Sequence, residues 1–336
     1  MRVRRVTIHD VAVEAGVSIT TVSHSLNNKG TISEATRRRV VETALAMGYE
    51  ADALARGLRS SKIGAIGLVL RPLDTLGTYR PEGVDYFMRL VGAAAVSALD
   101  RGLSLMPVRD LTEGRNPPLA LSLDGYIVGD PIENDPVIDI LLERDIPVVG
   151  IGRDVGRPDF RDWVGAEEAH DTERVLDLLW GKGARRIVLV RGTDANSWNI
   201  DTTEAYRAWT RKRGIPCVIE SQPEAAGAEG GRNAAERLFS GPVAPDAAYC
   251  LTGRHASGLV AELQRRDIDV PADVQVVAGS DSEQSRDSVP PITALDLVPE
   301  EIAQAAVELL ADRLEGSKLQ APMSVAPRLI LRGSTR

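Results

Sequence analysis

Cysteine and histidine are scarce in this chain, with two cysteines (Cys217 and Cys250) and four histidines at positions 9, 24, 170 and 255 in 336 residues. Two thiols in apolar or strand-like surroundings make no disulfide framework and no metal motif, so both are expected to be buried and free. The histidines show no paired ligand spacing, which leaves few members for a metal or catalytic cluster. A phosphate-loop Gly-Lys-Ser/Thr run and a Gly-x-Ser-x-Gly elbow are also missing. The glycine cluster from Gly150 through Gly152 to Gly156 sets its third glycine one place too far for a dinucleotide fingerprint, with no helix pattern behind it, and reads as a turn after a strand. No cofactor, no metal and no enzymatic activity are therefore expected. No apolar run approaches the roughly 20 residues that cross a bilayer, and the N-terminus lacks the apolar core of an export signal. The expected address is the cytoplasm.

What is present is an ordinary apolar content of 43% and a charge imbalance hidden in a net −8. Residues 1–60 hold nine Lys and Arg against six Asp and Glu, a net +3, and the remainder holds 31 against 42, a net −11. A basic head on an acidic body suits contact with a polyanion at one end only. The length exceeds one ordinary core, which favours a small module and a larger, two-lobed one.

The head reads as three helices. Thr7 can cap the first, Asp10 sits in its first turn, and Val11, Ala12 and Ala15 form an apolar stripe. Gly16 permits a left-handed break, and Ser18 can cap a second helix from about Ile19 to Leu26. That helix would bury Val22 and Leu26 and present Ile19, Thr20, Ser23 and His24, a face suited to a major groove. A third helix from near Ser33 to Gly48 would bury Val40, Val41, Ala44 and Leu45. The segment Ala53 to Leu58 is too short to hold a helix alone in water, and Gly57 weakens it further, so it would form only when pinned.

From Ile63 onward short apolar runs alternate with longer amphipathic stretches. Strands are predicted at 65–70, 103–107, 126–128, 147–150, 187–190, 247–250 and 274–277, and helices at 84–100, 137–144, 172–182, 203–213, 256–266 and 299–314. The alternation implies parallel sheets covered by helices, and about ten strands over this length call for two sheets.

The runs Thr7-Ile8-x-Asp10-Val11-Ala12, Ala15-Gly16-Val17-Ser18, Thr21-Val22-Ser23, Leu26-Asn27, Thr36-Arg37 and Gly48-Tyr49 resemble the lactose-repressor (LacI/GalR) family. The resemblance returns at Gly279-x-Asp281 and at Arg328-Leu329-Ile330-x-Arg332-Gly333-Ser334-Thr335, so it spans essentially the whole chain. It implies a small all-α helix-turn-helix head and an α/β periplasmic-binding-protein-like core of two doubly wound parallel-sheet lobes. The expected division is a head at 1–50, a hinge helix and linker at 51–62, and a bilobed core at 63–336. One lobe would hold 63–158 and 292–321, the other 159–291 and 322–336, with crossovers near 157–163, 289–292 and 320–323.

The same resemblance places base reading on Ile19, Thr20 and His24. His24 stands where the family most often has Arg, and imidazole cannot make the bidentate Arg contact to guanine. Ser18, Thr21, Ser23, Asn27 and Thr31 suit phosphate contacts, and Thr7 is a further DNA-binding candidate. Ala55 and Leu58 fall in the hinge, Leu58 where the family wedges a leucine into the minor groove. Asp52, where the family often carries Asn, either caps the hinge helix, the favoured reading, or tunes DNA affinity downward by placing a carboxylate near phosphates.

For a ligand between the lobes, Asp281 matches the strand-end aspartate that accepts from sugar hydroxyls. Thr252-Gly253 replaces a common Asn-Asp, and Thr202 stands where sugar-binding members carry Arg. Tyr79, Arg80, Phe87, Asp130, Trp163, Trp198 and Arg254 are the candidates to replace those groups, with Arg254 favouring an acidic effector. The implied protein is a homodimeric repressor. It would bind a near-palindromic operator under control of a sugar or sugar-like molecule, with the helix beginning near Val84 in the dimer interface. Rival readings are a solute-binding protein of the same lobed fold, which the basic head disfavours, and an α/β enzyme, which the missing motifs disfavour.

Overall fold

The structure, a computed structural model, describes residues 6–26, 30–49, 62–70, 85–114, 116–241, 243–316 and 321–336. The chain divides into two compact units, Met1–Ile63 and Gly64–Arg336.

The first unit is a three-helix head of α1 (Ile8–Ala15), α2 (Ile19–Leu26) and α3 (Glu34–Ala46). Thr7 and Asp10 form a reciprocal capping box at the start of α1, and Gly16 ends it at φ 63°. Ser18 caps α2 by accepting from Thr21 N at 3.1 Å. Val11, Ala12, Ala15, Val22, Val40 and Ala44 make the core. Two residues expected there are not in it: Val41 is half-buried and Leu45 is 76% exposed. A helix that packs on only two short neighbours buries the narrow stripe at Val40 and Ala44, and Leu45 turns about 100° away from it. Leu26 is likewise half-buried.

The second unit carries twelve strands, among the described residues, in two six-stranded sheets. The first sheet has the order β11-β5-β4-β3-β1-β2, built from β1 (Ala65–Leu70), β2 (Ser104–Val108), β3 (Gly125–Gly129), β4 (Val148–Ile151), β5 (Trp163–Gly165) and β11 (Met323–Ser324). All its pairings are parallel. The second has the order β12-β10-β9-β8-β6-β7, built from β6 (Ile187–Arg191), β7 (Ile219–Ser221), β8 (Ala247–Cys250), β9 (Gln275–Ala278), β10 (Thr293–Asp296) and β12 (Arg328–Ile330). Only β12 runs antiparallel to its neighbour. Runs such as Gly125–Gly129, buried at every position, are what a strand covered on both faces requires.

Helices cover both faces of each sheet. In the first lobe α4 (Asp85–Asp100) and α11 (Pro299–Glu315) pack on one side and α5 (Pro136–Leu142) on the other. In the second, α6 (Glu168–Gly181) and α7 (Ser197–Arg213) cover one face. The opposite face carries α8 (Gly227–Leu238) and α9 (Gly253–Arg265), and the one-turn α10 (Glu283–Asp287) follows β9. Strand pairing sets the crossovers. The chain leaves the first sheet after Gly165, returns after Asp296 and leaves again after Ser324. Each point lies a few residues beyond the expected boundary, because β5 and β11 pair within the first sheet and β10 within the second.

The glycine cluster after β4 is a turn. Asp154 accepts there from the backbone N–H groups of Asn134, Asp135 and Gly156 at 2.8–2.9 Å. Cys250 is buried, but Cys217 is exposed, in the connection between α7 and β7 rather than in a strand. No helix among the described residues is long and apolar enough to cross a membrane.

Candidate functional site

Two surfaces carry the candidate residues. On the head, α2 turns Ile19, 45% exposed, with Thr20 and His24 outward. The His24 ring leans toward the Gly30 turn, where a Cβ would stand 2.9 Å from Nδ1. Ser18 and Thr21 share a hydroxyl–hydroxyl hydrogen bond of 2.9 Å at the helix start, Thr7 is engaged in its capping box, Ser23 is half-buried and Thr31 is exposed. Thr7, Ser18 and Thr21 therefore set helix starts. Asn27, Asp52, Ala55 and Leu58 lie outside the described residues, as do Tyr79 and Arg80.

In the second unit a cavity of about 160 Å³ opens between the lobes beyond the carboxyl ends of both sets of strands. This is where open parallel sheets bind ligands, and its size is about ten times the space one water needs. It brings together Phe87, Asp130, Trp198, Thr202, Arg254 and Asp281. It does not include Trp163, a correction to the sequence reading. That side chain lies within β5 against Gly150 and Gly165, short of the strand end where the cavity begins. Tyr86 and Phe87 add an edge-on ring pair, 5.2 Å between centroids, from the first turn of α4.

Asp281 is not free to receive a ligand hydroxyl. Arg332 reaches its two oxygens at 2.7 and 2.8 Å, Ser285 Oγ donates at 2.7 Å and Arg286 at 3.3 Å. Four donors match the four lone-pair directions of a carboxylate. Burial works against its ionisation, but the hydrogen bonds from Arg332 and Ser285 and the nearby Arg286 charge outweigh it and hold Asp281 below the usual carboxylate range. Arg254, expected to face an anion, donates to the Glu224 carbonyl at 3.0 Å, and burial lowers its pKa while the Glu224 charge raises it.

Several lining residues went unnamed in the sequence reading: Glu168, Asp171 and Thr172 on α6, and Asp194, Glu224 and Tyr249. Glu224 accepts from the backbone of Thr193 and Asp194 and from Asn199 Nδ2 at 2.7 Å. Asp171 pairs with Arg174 at 2.7 Å. Glu168 is pushed up to about 7, chiefly by burial. Asp201 and Asp171 raise it further, while its own backbone hydrogen bond and Arg153 pull it down. The available signal was β5, too short to show a pattern. With its end at Gly165 known, the next residues are cavity-lining by topology.

Contacts across the cleft tie the lobes together. Arg286 joins Asp281 to Asp85 of α4 at 2.7 Å, Arg153 after β4 grips Asp201 of α7 with Nε at 3.0 Å, and Glu133 N donates to the Ala195 carbonyl at 2.9 Å.

Comparison with known proteins accounts for both units. Residues 7–52 match bacterial regulatory proteins of the lacI family, and residues 176–335 match the periplasmic binding protein-like domain. The ribose operon repressor of Escherichia coli is 27% identical over 350 residues, covering 98% of this chain and 99% of the relative. The HTH-type transcriptional regulator PtxS of Pseudomonas putida is 30% identical over 342 residues, covering 99% and 96%. The fold is shared with the Lac repressor dimer bound to operator and the anti-inducer ONPF, at a TM-score of 0.81, 20% identity and 99% coverage of both chains. With 30% identity to a regulator sustained from end to end, and a head and core of the matching kinds, the chain belongs to the lacI family of bacterial regulatory proteins.

Proposed function

We propose that this protein is a cytoplasmic, non-enzymatic transcriptional repressor that binds a near-palindromic operator as a homodimer and is switched by a small sugar-like molecule in the inter-lobe cavity. The observation that carries the reading is the head of a lacI-family chain presenting Ile19, Thr20 and His24 outward on its second helix. Ile19 offers a methyl-bearing surface to thymine and Thr20 a hydroxyl to a base edge. Thr7, Ser18, Thr21, Ser23, Asn27 and Thr31 position the head on phosphates, and Ala55 and Leu58 act in the hinge. Named regulators among the relatives, including a ribose operon repressor and the HTH-type transcriptional repressor PurR of Photorhabdus laumondii, support the role. The apolar strip of Met88, Val96 and Leu99, 42%, 60% and 69% exposed on α4, supports the dimer.

The cavity couples to DNA by linkage. An effector changes operator affinity only by its differential affinity for two lobe arrangements, and the inter-lobe pairs Arg286–Asp85 and Arg153–Asp201 belong to the arrangement seen. Selection of duplexes from a random pool tests the function. Recovery of a two-fold symmetric site is expected, with retention falling steeply as salt rises. Ile19→Ala and Thr20→Ala should each relax preference at one symmetric pair of bases, weakening binding by about 1–3 kcal/mol. Retention that ignores sequence in every variant would overturn the reading.

A further inference from the structure

The charge around the cavity is lopsided. Among the described residues its lining includes seven carboxylates and one arginine, Arg254. Arginines from outside the lining answer Asp281, Asp85 and Asp171 through Arg332, Arg286 and Arg174. Glu224 receives three N–H donors and faces Arg254. Among the described residues no salt bridge reaches Glu168 or Asp194, and each is raised by burial first. On the same helix as Glu168, Thr172 is 1% exposed, with its Oγ1 toward the Tyr249 phenol and no other hydrogen-bond partner among the described residues. Aromatic rings of Tyr86, Phe87 and Trp198 line the same space.

We infer that the effector is an amine-bearing, polyhydroxylated small molecule whose ammonium is received by Glu168, with Thr172 Oγ1 accepting or donating to a neighbouring ligand group. Glu168 is a half-buried carboxylate whose neighbouring cation, Arg153, is engaged by Asp201, so its charge is poorly offset, and a ligand cation offsets it while aromatic faces add attraction. An anion would meet the carboxylates with its own charge, and Arg254 is already turned to Glu224. A neutral polyol adds no charge to offset Glu168. The inference rests on the cavity being the effector site.

Binding of a cation to ionised Glu168 carries a pH signature. The groups acting on that carboxylate are Asp201 of α7, Arg153 after β4 and Asp171 of its own helix. With Glu168 at about 7 in the empty cavity, a cation must expel a proton at pH 6 and none at pH 8, so affinity tightens about tenfold over that range. A primary alkylammonium stays charged throughout.

The test screens the full-length protein at pH 8 by thermal shift and calorimetry with matched open-chain probes. These are the 1-amino-1-deoxy alditols of glucose, galactose, mannose and ribose, the parent alditols, and the corresponding aldonates. Stabilisation confined to an amine, about tenfold tightening from pH 6 to 8, and loss of both preference and pH slope in Glu168→Gln are expected. A neutral or anionic probe binding as well as its amine, an unchanged pH slope in the variant, or no binding by any probe would overturn it. Gel shifts on the same preparation separate the two readings. Operator retained without amine binding removes only this inference, whereas amine binding without operator recognition removes the repressor reading.

Discussion

Replacing both Val96 and Leu99 with aspartate is expected to turn the dimer into a monomer and weaken operator binding by about 100- to 10,000-fold. The two residues, with Met88 and Gly92, fall within an arc of about 80° on α4, opposite Leu90, Ala94 and Ala98, which pack on the first sheet. The outward arc is apolar where a monomer would carry charge, and four carboxylates facing each other across a two-fold axis would repel. Because both positions are solvent-facing in the single chain, the substitutions should leave its fold within about 0.5 kcal/mol per site. The loss in DNA binding comes from uncoupling two heads, since the second half-site is then no longer captured at high effective concentration. Sedimentation and gel shift at matched concentration check it. A variant that stays dimeric shows that another face carries the association.

A second large effect is expected at Arg332→Met, which should destabilise the larger unit by about 3 kcal/mol. Arg332 supplies two of the four hydrogen bonds to Asp281, and both side chains are largely buried. Breaking such a pair from one side leaves a buried charge, usually worth 3–5 kcal/mol. Ser285 and Arg286 remain, so the lower end applies. Asp281 has a depressed pKa in the fold, so the stability it contributes is present above its unfolded value and is lost as pH falls through the folded one. The gap between wild type and variant should therefore shrink in acid. Urea unfolding at pH 7 and in acid measures it, and adding Asp281→Asn to the variant should recover part of the loss. A variant as stable as wild type at pH 7 would show that Arg286 alone compensates Asp281.

How far the sequence reaches is seen by comparing particular segments. The apolar runs of β1, β3, β6, β8 and β9 were legible because strands buried on both faces are continuous in sequence. β5, β7, β11 and β12 were not, since two or three residues cannot display a period. Helix α8 was missed for a different reason. Its sequence GAEGGRNAAERL carries three glycines in its first five residues, which masks a helix, yet a Cβ at Gly231 would lie 2.0 Å from the His255 carbonyl and one at Gly258 1.9 Å from that of Ala228. The glycines are demanded by backbone-to-backbone contact of α8 and α9, a tertiary requirement that overrides local propensity. At the cavity, Phe87, Asp130, Trp198, Thr202, Arg254 and Asp281 were named and are brought together. That Asp281 is occupied was hidden, because Arg332 lies 51 positions away along the chain.

The three passages of the chain between the sheets also bear on how such regulators can be recombined. The head is one contiguous stretch, so a single splice near residue 63 exchanges it whole. Neither lobe is contiguous: the pieces of the first are separated by well over a hundred residues and those of the second by about thirty, and the final strand of one follows that of the other by only four positions. A graft of one lobe from a relative needs three simultaneous junctions, at 166, 297 and 326, and any one alone yields a sheet missing an edge. New DNA specificities are thus one crossover away, while new sensing lobes must arise by substitution in place.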